Sequence, residues 1–165
     1  MKNFAAAAGI LSIALLLSGC VVVNGPAKPG STSQGSDDGP ASTQDCSGGD
    51  VTLTESGMTY TLTGECGTVT VTGTNISVDA GNLTALSISG DRNEVDAASV
   101  GKVEVRGNDN SLDASAVGAV TLTGDHNDVD ADTVAAVTFA GNENDVDAIV
   151  SGTVTDSGDR NRISD

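Results

Sequence analysis

Residues 90–97 read GDRNEVDA, residues 107–114 GNDNSLDA, residues 124–131 GDHNDVDA, residues 141–148 GNENDVDA, and residues 158–165 GDRNRISD. The glycines that open these phrases, together with Gly73, recur every seventeen residues. A fixed period near twenty residues marks a stacked repeat, in which one coil cannot bury its apolar side alone and needs a neighbour on each face. The expected fold is therefore all-β: a single-stranded β-solenoid (β-helix) of about seven 17-residue coils. At about 4.8 Å per rung, seven rungs make a rod of roughly 33 Å.

Counting from each opening glycine, apolar or small residues recur at plus 5 (Val95, Leu112, Val129, Val146, Ile163) and plus 7 (Ala97, Ala114, Ala131, Ala148). They recur again at plus 10 (Val100, Val117, Val134), plus 13 (Val103, Val120, Val137, Val154) and plus 15 (Val105, Leu122, Phe139). Positions plus 3, 5 and 7 share one side of a strand, as do plus 13 and 15. The change of parity at plus 10 requires corners on either side. Each coil thus reads as three short faces, with one corner at the Gly-Asp/Asn pair where a positive φ is expected.

The inward column at plus 3 is polar: Asn93, Asn110, Asn127, Asn144 and Asn161. A buried amide is costly unless paired, and a stack of identical amides pairs with itself. These residues are expected to form an asparagine ladder that fixes the register. Asn75 stands one place early against Asn93, so the ladder's N-terminal end is left open. The plus 1 column alternates Asp91, Asn108, Asp125, Asn142, Asp159, which spaces its charges about one Debye length apart. His126, the chain's one histidine, stands at a variable turn position and is expected to be solvated.

The plus 6 column is acidic throughout: Asp79, Asp96, Asp113, Asp130 and Asp147, with Glu94, Asp128 and Asp145 beside it at plus 4. Carboxylates one rung apart repel by on the order of 1 kcal/mol in water, so something must offset this. Two readings are open. Each aspartate could accept backbone N–H groups at the following corner. Alternatively Asp96, Asp113, Asp130 and Asp147 could hold a ladder of Ca²⁺, which favours hard oxygen ligands. The nine-residue calcium-roll period is absent, so such binding would be weak, and no other cofactor is expected.

The formal net charge of −16 repels nucleic acid and favours a basic partner or cations. Outside the N-terminal segment only Tyr60 and Phe139 are aromatic. An enzyme acting on cell-wall glycan would need aromatic platforms and paired acids in a groove. No Ser/His/Asp set, phosphate loop or zinc spacing is present, and the chain is not expected to be an enzyme. Thr70-Val71-Thr72, Ser87-Ile88-Ser89 and Thr121-Leu122-Thr123 suggest an ice-binding array as another alternative, but Glu104 and Arg106 interrupt that face.

Residues 1–19 carry Lys2 and an apolar run through Leu17, the pattern of a secretory signal. Leu17-Ser18-Gly19-Cys20 resembles the lipobox of bacterial lipoproteins. The resemblance implies cleavage before Cys20, acylation of that cysteine and anchoring to the outer face of the cell membrane. Residues 20–44 hold all three prolines and read as a flexible tether. Residues 45–165 form the repeat domain, where Cys46 and Cys66 are an even pair in an exported chain and read as a disulfide. With lipobox, tether, cysteine pair and G-[D/N]-x-N-x-[V/L]-D-A repeat together, the chain resembles a family of secreted, largely actinobacterial proteins. These carry a GxxNxV repeat domain of unknown function and are often lipoproteins. The resemblance covers residues 46–165 and implies a β-solenoid, an envelope location and no established activity.

Overall fold

The computed structural model describes residues 40–165, and no helix occurs among them. The signal segment, Cys20 and most of the tether lie outside the described residues. The strands are β1 (Ala41–Asp45), β2 (Val51–Leu53), β3 (Thr59–Thr63), β4 (Cys66–Val71), β5 (Ser77–Ile88), β6 (Glu94–Val105), β7 (Ser111–Leu122), β8 (Asp128–Phe139), β9 (Asp145–Val150), β10 (Val154–Asp156) and β11 (Arg162–Ser164). Every pairing is parallel, and β5 to β8 stack in strict seventeen-residue register, for example Val78↔Val95, Val95↔Leu112 and Leu112↔Val129. One path runs β1-β3-β5-β6-β7-β8-β9-β11. A second side is built from β2, β4, the later halves of β5 to β8, and β10. This is the β-solenoid of about seven coils.

The period explains the packing. Val95, Val100, Val103 and Val105 of one coil are buried, as are Leu112, Val117, Val120 and Leu122 above them, and Phe139 fills a fully enclosed place in the same column as Val105. Pairing is interrupted at Gly81 and Thr84 of β5 and at the matching residues of β6. Those breaks are the two corners that separate the three faces. Residues 41–44, assigned from sequence to the tether, belong instead to β1, which pairs with β3 from Ala41↔Thr59 to Asp45↔Thr63.

The turn from β5 into β6 and its copies settle which residue bends the chain. Positive φ falls at plus 2, on Asn75, Arg92, Asp109, His126, Glu143 and Arg160, each near 55°. It does not fall on the glycine or on the Asp/Asn that follows, as the sequence had suggested. The repeat glycine is required by close approach instead. A Cβ on Gly107 would fall inside contact with the Gly90 carbonyl oxygen and 2.6 Å from its carbon. Glycine is thus needed for space between rungs, and the left-handed bend is carried by the polar residue two places later.

Four N–H groups of each such turn find partners on the neighbouring rungs. The plus 2 N–H donates to the plus 1 carbonyl of the next coil, as in Arg92 N to Asn108 O at 3.0 Å. The plus 4 N–H donates to the preceding coil's plus 3 carbonyl, as in Ser111 N to Asn93 O at 2.9 Å. The plus 1 and plus 3 N–H groups go to side chains. Asn108 N donates to Asp91 Oδ1 at 2.8 Å, Asp125 N to Asn108 Oδ1 at 2.9 Å and Asn142 N to Asp125 Oδ1 at 2.7 Å. The plus 1 column is therefore a second ladder. Both Asp and Asn offer the oxygen it needs, which restricts the column to these two types. In alternation an Asn amide can also donate to the Asp on the preceding rung, as Asn142 Nδ2 does to Asp125 Oδ1 at 3.1 Å.

The plus 3 asparagines form the ladder expected of them. Asn110 Oδ1 accepts from Asn93 N and Nδ2 at 2.9 and 3.1 Å, and the same pair of bonds links Asn110 to Asn127, Asn127 to Asn144 and Asn144 to Asn161. Asn93, Asn110, Asn127 and Asn144 are buried, and no buried side-chain polar atom among the described residues lacks a partner. The ladder begins at Asn93. Below it the inward place is taken by Ile76, whose N–H donates to Asn93 Oδ1 at 2.9 Å. Asn75 belongs to the left-handed column, where it accepts from Arg92 Nε.

Cys46 and Cys66 are joined, with Cα atoms 5.0 Å apart and both residues buried. The bond ties the start of the rod, just after β1, to the first residue of β4. Its sequence separation of 20 residues closes a loop worth about 3 kcal/mol in the chain-entropy account. Cys46→Ser with Cys66→Ser is expected to lower unfolding free energy by about that amount in urea titrations. Reducing agent should act equally on the wild type and not at all on the double variant.

Candidate functional site

Outward positions on the first half of each long strand carry the chain's densest charge. Register places Asp79, Asp96, Asp113, Asp130 and Asp147 directly above one another, and Glu94, Ser111, Asp128 and Asp145 in a parallel column two residues earlier. Alternation puts both columns outside, because Val95, Leu112, Val129 and Val146 between them point into the core. All five plus 6 aspartates are exposed. Rungs about 4.8 Å apart and positions about 6.7 Å apart along each strand turn the side chains into a flat grid.

The aspartates do not serve as corner acceptors. Side-chain acceptance at the turns is supplied by the plus 1 and plus 3 ladders, and none of Asp79, Asp96, Asp113, Asp130 or Asp147 takes a backbone N–H there. Nor do they converge. Among the described residues no group of three or more carboxylate, imidazole or thiolate side chains is arranged to hold a metal ion. Asp96, Asp113, Asp130 and Asp147 share a column, one carboxylate per rung. The face draws cations by its field.

Repulsion is sharpest toward the C-terminal end, where acids occupy both columns. Partial desolvation pushes the Asp128 carboxyl above its ordinary range, and the carboxylates of Asp145, Asp130 and Asp147 push it the same way. A pKa raised by folding means that the charged form is disfavoured in the folded state. Stability from this group is fully present below the unfolded carboxylate pKa and is lost as pH rises through the folded value. Asp128→Asn is therefore expected to raise the melting temperature at neutral pH and to leave it unchanged near pH 3 or below. An equal effect at both pH values would mean the gain has another cause.

The rung beyond is compensated. Arg162 pairs with Asp145, while Arg160 and His126 both pair with Glu143 along the left-handed column. His126 keeps a largely exposed side chain but is not simply solvated, since it bridges one rung to Glu143. Sequence reading missed this column because its residue types vary while its conformation does not. A shallow hollow of about 280 Å³ lies among Glu143, Asn144, Asp145, Arg160 and Arg162, and its cations already face these carboxylates. Tyr60 and Phe139 are both buried, so neither forms an aromatic platform on the surface.

No curated protein and no solved structure matches the chain. One family model does, at residues 56–95, 77–116 and 105–160, in overlapping matches that follow the repeat. Its description is a protein of unknown function (DUF3060), and the matches together span most of the solenoid. The chain therefore belongs to the DUF3060 family.

Proposed function

We propose that this is a non-enzymatic, lipid-anchored protein of the bacterial cell envelope. On this reading Cys20 carries the acyl chains that hold it to the outer face of the cell membrane, and the rod presents its acidic face to a basic partner or to a loose layer of cations. The observation that carries the binding part is the two-column grid of carboxylates on one flat face, formed by strands whose register leaves no room to turn them inward. The net charge of −16 adds a long-range field that speeds encounter with cationic ligands. The anchor is supported by the Leu17-Ser18-Gly19-Cys20 motif at the end of an apolar segment.

The test uses the purified protein with a polylysine probe and with Ca²⁺. Binding to polylysine should fall steeply with added NaCl and should weaken about tenfold in Asp113→Asn/Asp130→Asn, since two central charges of the grid are removed. Millimolar Ca²⁺ should raise the melting temperature no more than NaCl of equal ionic strength if the field is diffuse. A larger rise with Ca²⁺, abolished by the double substitution, would favour a dedicated cation ladder over a basic partner. Polylysine binding unchanged by the substitutions would overturn the acidic-face reading. Mass spectrometry of the membrane fraction should find Cys20 acylated, and an unmodified thiol there would overturn the anchor.

A further inference from the structure

The second long side of the rod differs in character from the acidic one. Its outward positions are plus 12 and plus 14. In successive coils they are Lys102 and Glu104, Ala119 and Thr121, and Ala136 and Thr138. The inward residues between them, Val103, Val120 and Val137, are buried, so these side chains form the surface of a flat parallel sheet. One coil earlier the pair is Ala85 and Ser87. A chain of net charge −16 thus keeps most of this sheet face free of charge: Asp50 stands at its first rung, one residue before β2, and one further rung holds one cation and one anion.

That rung is self-complementary. Among the described residues Lys102 makes no ion pair, while Glu104 is contacted only from the turn by Arg106. Lys102 and Glu104 project from the same strand about 6.7 Å apart. If two copies meet on this face about a two-fold axis parallel to the rod, positions plus 12 and plus 14 exchange places across the interface. Lys102 of each copy then stands opposite Glu104 of the other. The same operation sets each alanine of the plus 12 column against the partner's hydroxyl-bearing residue at plus 14, Ala119 on Thr121 and Ala136 on Thr138, so small meets larger along the rod. A two-fold axis along the strands instead would place Lys102 on Lys102 and Glu104 on Glu104.

We propose that the Lys102/Glu104 face is a homodimer interface in which two rods pack side by side and parallel, with Lys102 of one copy paired to Glu104 of the other. The parallel arrangement leaves the first strands of both copies at the same end, as two rods rooted on one membrane would require. The acidic columns are on a different face and remain open to any basic partner, so the dimer does not depend on the acidic-face reading. The contact is small, on the order of 300–400 Å² per copy from seven rungs of about 4.8 Å and a width near 10 Å. Stable interfaces bury about 800 Å² per partner, so this dimer is weak in dilute solution and needs a high local concentration.

Carbodiimide coupling tests it directly, because it joins an amine and a carboxylate only where they touch. The purified protein, mixed from ¹⁴N- and ¹⁵N-labelled stocks at about 0.5 mM, should yield a covalent dimer carrying a mixed-isotope Lys102–Glu104 amide. Lys102→Glu and Glu104→Lys each remove one coupling partner, so their association is read by sedimentation equilibrium, where like charges placed opposite each other should weaken it at least about tenfold. Lys102→Glu/Glu104→Lys should restore it. Far-ultraviolet circular dichroism confirms that each variant keeps its β-structure. The proposal is overturned if no mixed-isotope amide forms at this pair. It is also overturned if Glu104→Lys, which lowers the net negative charge, dimerises as well as the wild type, because association would then follow overall charge and not this pair.

Discussion

Gly124→Ala should unfold the centre of the rod, with a loss of about 4 kcal/mol or more in urea denaturation. The added methyl group would fall inside contact with the Gly107 carbonyl oxygen, 2.7 Å from its carbon and 3.0 Å from the Arg106 oxygen. All three atoms are backbone, so no side chain can swing aside. Relief requires the two coils to separate, which stretches the hydrogen bonds on both sides of the turn. Core overpacking usually costs 1–3 kcal/mol because neighbours can adjust, and here they cannot. Gly118→Ala is the control, because it also approaches the coil below. The next coil accommodates Ala135 at the matching position, so a much smaller loss is expected there. Equal and mild effects of both changes would mean that rung spacing is softer than the geometry implies.

Asn127→Leu should cost about 2–4 kcal/mol. Asn127 Oδ1 accepts from both the backbone and the side-chain amide of Asn110, and its own Nδ2 donates to Gly107 O and Asn144 Oδ1 at 3.0 Å each. Leucine would strand two donors of Asn110 and the Gly107 carbonyl inside a dry column, and an unmet buried group costs its full desolvation. Asn127→Asp keeps the acceptor but loses the donor and adds charge between buried amides, so it should be at least as harmful. If either variant melts within a degree or two of the wild type, the ladder is not what holds the rungs in register.

Both predictions concern features that differ in how openly the sequence displays them. The asparagine ladder was legible because burial, polarity and a strict period coincide at Asn93, Asn110, Asn127 and Asn144, and few arrangements satisfy all three. The core columns were legible for the same reason. The role of the repeat glycine was misread, since recurrence shows that a side chain is excluded but not whether conformation or space excludes it. The left-handed column at Arg92, Asp109, His126, Glu143 and Arg160 stayed hidden, because the backbone there is dictated by the flanking ladders and tolerates any polar side chain. The plus 1 ladder was half visible. Its Asp/Asn alternation suggested charge spacing, whereas the shared property is an oxygen two bonds beyond Cβ, within reach of the next rung's N–H. For the acidic face, sequence placed Asp96, Asp113, Asp130 and Asp147 in one column, but whether carboxylates stacked at rung spacing could converge on a cation is a question of three-dimensional geometry.

The two ends of the rod are unequal. The Cys46–Cys66 bond fastens the first coils covalently, whereas the other end exposes Ile149, Val154 and Ile163 at 62%, 47% and 36%. In a stack where each coil leans only on the coils beside it, loss of order travels as a front, one rung at a time. Here the stapled coils resist such a front, and the coils around Ile149 and Val154 have no such staple. Such a rod wears like a candle: limited proteolysis should shorten it from the C-terminal side in steps of about one seventeen-residue coil, each intermediate retaining the disulfide and a ladder with one asparagine fewer. Residual length would then record exposure to proteases, and whatever engages the rod near its stapled end would be the last thing lost.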